Sequence, residues 1–221
     1  MKKALSAYCI AYLIMLIIGL GLLYAYPKLE LHLMLNTWHT PFLDTFFKYY
    51  SVLAEWPLYI IALLPLLWKK KEMTIFYAMS EISAGLVTVI LKRLFSMERP
   101  ATAFENCPDM VLPVVEGVNL HHSNSFPSGH ASTFFVFFTC CAIFLAYNYT
   151  QKYRHCNHKP WGLFHASLLL LLVLAVVGAY SRVYLSQHFL SDICMGSFIG
   201  FTMPFLVFYF CRHKILKLNN V

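Results

Sequence analysis

Charge is what this 221-residue chain has least of: Lys, Arg, Asp and Glu make up 12% of it, against 59% hydrophobic residues. A soluble domain carries about 25% charged residues and shorter apolar runs, so an ordinary water-soluble fold is excluded. Cysteine is present seven times, yet no pair has metal-ligand spacing with partner histidines. No zinc site, other metal site or disulfide framework is read from them. Cys140 and Cys141 lie inside an apolar run, where cysteine behaves as a small hydrophobe. Internal repeats and low-complexity segments are also missing. The basic residues behind the net charge of +7 do not gather on a polar stretch, as a nucleic-acid surface would require.

Long apolar runs recur instead, and a run of about 18 residues with few charges reads as a membrane span. Six are read, at residues 4–26, 52–68, 74–95, 128–149, 162–180 and 189–211. The first follows Met1-Lys2-Lys3 in the manner of a signal peptide, but no small-residue cleavage site follows it, so it is kept as a helix. The second contains Pro57 and Pro65. Residues 27–51 mix apolar and polar side chains around Pro41 and are too polar to span; one or two amphipathic helices at the membrane surface are expected there. The fold expected is all-α: one polytopic membrane domain over residues 1–221, a bundle of six transmembrane helices with surface helices between the first two.

The basic residues orient this bundle. Lys2, Lys3, Lys69, Lys70, Lys71, Lys152, Arg154, Lys159, Arg212, Lys214 and Lys217 fall on one side, and Lys28, Lys48, Lys92, Arg93, Arg99 and Arg182 on the other. Eleven against six places the first side, with both termini, in the cytoplasm. The long loop 96–126 then lies outside.

Three polar stretches meet at that outer face: "KRLFSMERP" with Lys92 and Arg99, "PSGH" opening the fourth span, and "SRVYLSQHFLSD" with Arg182, His188 and Asp192. Singly, each has an ordinary explanation. Basic residues at span ends snorkel to headgroups, and a Pro-Ser-Gly turn caps a helix. Together they compose one kind of site. Lys92, Arg99 and Arg182 suit a tetrahedral oxyanion, the arginines as planar donor forks and the lysine as a point charge. The helix start at Ser128 and Gly129 adds a hydroxyl and backbone N–H groups where the dipole favours an anion. His188 and Asp192, four apart, share a helix face, so the carboxylate can fix the imidazole tautomer and leave the other nitrogen free to attack. His130 can then protonate a leaving oxygen. Such a set performs phosphoryl transfer with cationic side chains in the place magnesium takes in kinases.

These stretches resemble the signature of the type 2 phosphatidic acid phosphatase superfamily, which also contains vanadium haloperoxidases. Its pattern is Lys-x6-Arg-Pro, Pro-Ser-Gly-His and Ser-Arg-x5-His-x3-Asp, met here at residues 92–100, 127–130 and 181–192 without departure. The resemblance implies a helical bundle with its site just outside the bilayer surface. It implies His188 as a nucleophile forming a phosphohistidine, Asp192 as its orienter and His130 as general acid and then helper of water. Lys92, Arg99, Ser128, Gly129 and Arg182 would bind the phosphoryl group, with no cofactor. Similar bacterial members act on phosphatidylglycerol phosphate, undecaprenyl diphosphate or lipid A phosphates. The expectation is therefore an enzyme of the bacterial cytoplasmic (inner) membrane. Its site would face the periplasm, and its substrate would be an envelope lipid, lipid A phosphate or undecaprenyl diphosphate. Phosphatidylglycerol phosphate and phosphatidic acid come next. A vanadate-dependent haloperoxidase and a non-enzymatic lipid carrier or scaffold are the competing classes. The partners implied are the lipid substrate and the bilayer, with no nucleic acid and no obligate protein partner.

Four features remain. Glu81, eleven residues before Lys92 and about 16 Å deeper at 1.5 Å per residue, shares a helix face with Thr88 and Lys92 and reads as a packing residue or a second layer behind the site. Gly196 and Gly200 read as a close helix contact onto the fourth or fifth span. His121 and His122 are read as solvated loop residues. Tyr184 is read as an interfacial anchor.

Overall fold

The structure, a computed structural model, describes residues 1–154, 156 and 160–211. Lys159, Arg212, Lys214 and Lys217 of the charge count, and the C-terminus, lie outside the described residues. The described chain is helical, with no strand. In order it forms α1 (Lys2–Ala25), α2 (Lys28–Leu35), α3 (Pro41–Val52), α4 (Pro57–Leu63), a 3-10 stretch (Leu64–Trp68), α5 (Lys71–Phe95), α6 (Pro100–Glu105), α7 (Gly129–Lys152), α8 (Trp161–Tyr184) and α9 (Leu190–Cys211).

Helices α1, α5, α7, α8 and α9 are each long and apolar enough to cross a membrane, which makes this a multi-pass membrane protein. The second expected span, 52–68, is not one helix. Val52 ends α3, Pro57 opens α4, and Pro65 lies in the first turn of the 3-10 stretch. Proline lacks the N–H and its ring clashes with the preceding turn, so α3 cannot continue through Pro57. A sixth crossing exists only as the composite of Pro41–Val52 and Pro57–Trp68, bent by 50°.

Local chemistry sets the other boundaries. Thr40 caps α3 by accepting the Leu43 amide at 3.2 Å, with Pro41 preset at the first helical position. Ser96, at φ 42°, ends α5 in the left-handed region.

Helix α7 is the hub, packing most extensively on α8 and α9 and also against α5 and α1. Lipid tails are as apolar as Leu, so close van der Waals fit rather than hydrophobic burial holds such helices together. Gly196 and Gly200 provide it: a Cβ at Gly196 would stand 2.4 Å from the Ser128 carbonyl oxygen, and one at Gly200 2.3 Å from that of Ser132. The small-residue pair thus seats α9 on the fourth span, within one chain.

Both surface helices form, and both also brace the site from behind. In α2, His32 and Asn36 reach the Ser186 hydroxyl at 3.3 and 2.9 Å. In α3, Phe47 packs on Tyr184 with ring centroids 4.4 Å apart. Tyr184 is therefore no interfacial anchor. It is 2% exposed and donates its hydroxyl to Asp44, because α3 folds over the end of α8 and removes it from the interface. The loop 106–126 closes the same region, with Ser186 donating to the Pro113 carbonyl at 2.6 Å and Lys48 to that of Glu116 at 3.2 Å.

Candidate active site

The α8–α9 connection holds the first histidine. The Arg182 carbonyl accepts the amides of Gln187 and His188 at 2.9 and 3.1 Å, which turns the chain back into α9. Asp192, in the first turn of α9, reaches back to accept the Phe189 amide at 2.9 Å, a capping contact that fixes its carboxylate. The same Oδ2 lies 3.3 Å from His188 Nδ1 and accepts the Ser125 hydroxyl; Ser191 donates to Oδ1 at 3.2 Å. Nδ1 is therefore the protonated nitrogen, and Nε2 carries the lone pair. Nε2 faces Arg99 Nη1 at 3.5 Å. His188 is 2% exposed, and its burial pulls the imidazole well below its ordinary pKa against the opposing pull of Asp192. A neutral, oriented ring follows, the form a nucleophile needs.

Carbonyl groups aim the cations. Arg99 donates from Nε to the Ser123 oxygen at 2.9 Å and from Nη1 to the Gln187 backbone oxygen at 3.0 Å. Lys92 donates to the Asn124 oxygen at 2.6 Å. Arg182, 8% exposed, donates from Nη1 to Ser51 Oγ, while its Nε is buried with no partner among the described residues. That orphan donor is the kind of group an anion satisfies.

The third wall is the start of α7. Ser128 Oγ accepts the Ala131 amide at 3.4 Å, and the Ser128 amide donates to the Asp192 carbonyl at 3.0 Å. Ser128 therefore spends its backbone donor on α9, and the amides of Gly129 and His130 are the orphan donors of the helix start. A Cβ at Gly129 would meet nothing within 4 Å, so the space before it is open to a ligand. His130 Nε2 is buried with no hydrogen-bond partner among the described residues and lies 3.6 Å from Glu55 Oε1. Beside Arg182, a cavity of about 260 Å³ is lined by Ser51, Glu55, Asn119, His121 and Gln187.

The predicted Lys92, Arg99, Ser128, Gly129, His130, Arg182, His188 and Asp192 thus come to one face of the bundle. Glu81 does not join them. It accepts Thr133 Oγ1 at 2.7 Å and the Tyr59 hydroxyl at 3.2 Å, one turn of α7 beyond His130. His121 lines the cavity, while His122 faces Thr102 and Glu105. Sequence reasoning passed over Ser125, Gln187, Ser51 and Glu55. Ser125 stands two residues before the PSGH stretch and Gln187 inside the SRVYLSQHFLSD stretch, and both were legible as polar neighbours. Ser51 and Glu55 come from a segment whose spacing relates it to no motif.

Known proteins resemble this chain in sequence and in fold. A putative undecaprenyl-diphosphatase, YbjG, from Escherichia coli (strain K12) is 40% identical over 93 residues, 40% of this chain and 38% of that protein. The match spans well under half of that relative's length. The crystal structure of Aquifex aeolicus LpxE superposes with a TM-score of 0.60 at 24% identity, covering 84% of this chain and 97% of that one. That of the first transmembrane PAP2 type phosphatidylglycerolphosphate phosphatase from Bacillus subtilis gives 0.61 at 21% identity, covering 97% and 98%. At these identities the likeness establishes the fold. The sequence model of the PAP2 superfamily matches residues 74–215, well over half of the chain and all three polar stretches, so the protein belongs to the PAP2 superfamily.

Proposed function

We propose that this protein is a lipid phosphate or diphosphate phosphatase that works through a phosphohistidine on His188. The observation that carries the reading is the His188 ring, tied through Nδ1 to Asp192 and presenting Nε2 to Arg99 at 3.5 Å. Nε2 attacks phosphorus and the bond to the leaving oxygen breaks. His130 gives that oxygen its proton. Water then attacks the phosphohistidine, His130 takes up the water's proton, and His188 and phosphate are regenerated. Lys92, Arg99 and Arg182 offset the charge on the equatorial oxygens, which is worth most in a site with little water.

The substrate favoured is an envelope lipid. The name of the E. coli relative supports undecaprenyl diphosphate, and lipid A phosphate remains beside it. The excess of Lys and Arg in the sequence, eleven on the side of the N-terminus against six on the other, supports a cytoplasmic N-terminus and a site at the periplasmic face of a bacterial inner membrane.

Phosphate release by the purified protein and His188→Ala, measured in detergent with EDTA, tests this. The substrates offered are undecaprenyl diphosphate, lipid A, phosphatidylglycerol phosphate and phosphatidic acid. The expected result is rapid cleavage of one lipid by the parent and none by the variant. Complete loss in EDTA, restored by magnesium, would sink the mechanism.

A further inference from the structure

A general acid must hold its proton when the leaving group needs it. His130 is badly placed to do so alone. Lys92 from α5, Arg99 from the loop before α6 and Arg182 from α8 all direct positive charge at it. Its Nε2 is buried with no hydrogen-bond partner among the described residues. Each of these opposes an imidazolium. Asp192 does not relieve the field, being committed to His188, Ser125 and the Phe189 amide.

Glu55 stands where relief is needed. Its Oε1 is 3.6 Å from His130 Nε2, an ion-pair separation rather than a hydrogen bond. Its charge also acts on Arg182. It lines the cavity beside Arg182 and occupies the break between α3 and α4, the turn that Pro57 forces on the chain. We propose that Glu55 is a positioning residue that keeps His130 protonated for transfer to the leaving oxygen. A carboxylate acts on the charge of the whole ring, so it favours the protonated form whichever nitrogen releases the proton. The bend in the second crossing acquires a purpose: it sets a carboxylate against the acid histidine from outside the three motifs.

This inference rests on the phosphatase reading above. The test compares the parent with Glu55→Gln on two substrates, the preferred lipid phosphate or diphosphate and p-nitrophenyl phosphate, whose leaving group departs without a proton. On the lipid, Glu55→Gln is expected to lower kcat by about tenfold or more, a part of the 10²- to 10⁴-fold that general acid catalysis supplies. Its alkaline limb is expected to move to lower pH, because the ring loses its proton more readily without the carboxylate. On p-nitrophenyl phosphate the loss is expected to be much smaller, and Glu55→Asp should recover part of the lipid rate. In a His130→Ala background, Glu55→Gln should cost almost nothing more, the signature of two groups acting as one unit. Equal losses on both substrates with an unmoved alkaline limb, or no loss on the lipid, would overturn the role of Glu55 while leaving the phosphatase reading in place. A parent protein inert on both substrates would overturn the phosphatase reading and this inference with it.

Discussion

The two histidines of the site sit in opposite surroundings. His188 is held on both sides: Nδ1 meets Asp192 and Ser125, Nε2 faces Arg99, and the carboxylate behind it is fixed by a helix-start amide. Among the described residues, His130 Nε2 has no hydrogen-bond partner and one half-exposed carboxylate at ion-pair distance. The difference matches the tasks proposed for them. A nucleophile gains from being locked in one tautomer and one direction. A general acid must lose and regain a proton in each turnover, which a fully bonded ring resists.

Removing the lock should have the largest effect. Asp192→Asn keeps the shape but replaces the acceptor of the Nδ1 proton, so the ring is free to take the wrong tautomer. A loss of about 10³-fold or more in kcat is expected, read as phosphate release, by analogy with carboxylate-to-amide changes behind other catalytic histidines. A loss below tenfold would mean that Ser125 alone orients the ring.

Gly196→Ala attacks the contact that holds α9, which follows His188, against α7, which carries His130. Its Cβ would meet the backbone oxygen of Ser128 at 2.4 Å, and backbone cannot swing aside as a side chain can. Destabilisation by about 1–3 kcal/mol is expected, seen as a lower melting temperature in detergent, with activity falling in parallel. Gly129→Ala is the sharpening control: its Cβ meets no protein atom, so melting should be unchanged while phosphate binding suffers.

Ser125→Ala removes a donor to Asp192 and a neighbour of His188. About tenfold in kcat is expected, with the backbone contact from Phe189 preserving most of the orientation. An unchanged rate would show that the capping amide and His188 suffice.

Acid should separate the histidines least dramatically. Burial holds the folded pKa of His188 down from its ordinary 6.5 to about 3. The proposed nucleophile therefore stays neutral as pH falls through 6.5, and kcat/KM should show no acid loss centred there. The unfolded chain binds the proton that the folded one refuses across that window. Stability contributed by this burial is thus full above 6.5 and is lost as pH falls toward 3, which acid-dependent melting would record.

Much of this was legible in the chain. The spans follow from apolar runs, and α7, α8 and α9 begin and end close to where charge, proline and capping residues fall. That the eight predicted residues gather at one face was legible because they stood in three short stretches whose internal spacing survives folding. Three readings failed or fell short for one shared reason. Residues 52–68 break at Pro57, Tyr184 is buried rather than interfacial, and Glu55 carried no signal at all. Each concerns the segment 27–68, where polar and apolar residues alternate without a clean period and the outcome depends on what the segment packs against.

The sequence by itself determined that the chain lives in a membrane, where five of its segments long and apolar enough to cross it lie, and which residue types could bind and cleave a phosphoester. Those properties follow from composition, run length and local spacing, which are properties of neighbours along the chain. Only the tertiary structure decided that Ser125 and the Phe189 amide share the Asp192 carboxylate. It alone decided that Ser128 spends its amide on α9 and that Glu55 and Ser51 reach His130 and Arg182. Apart from the Phe189 amide, three residues from Asp192, these contacts join residues tens of positions apart. They depend on α7 and α9 meeting closely at Gly196 and Gly200 and on the end of α3 and the turn after it lying beside the cavity.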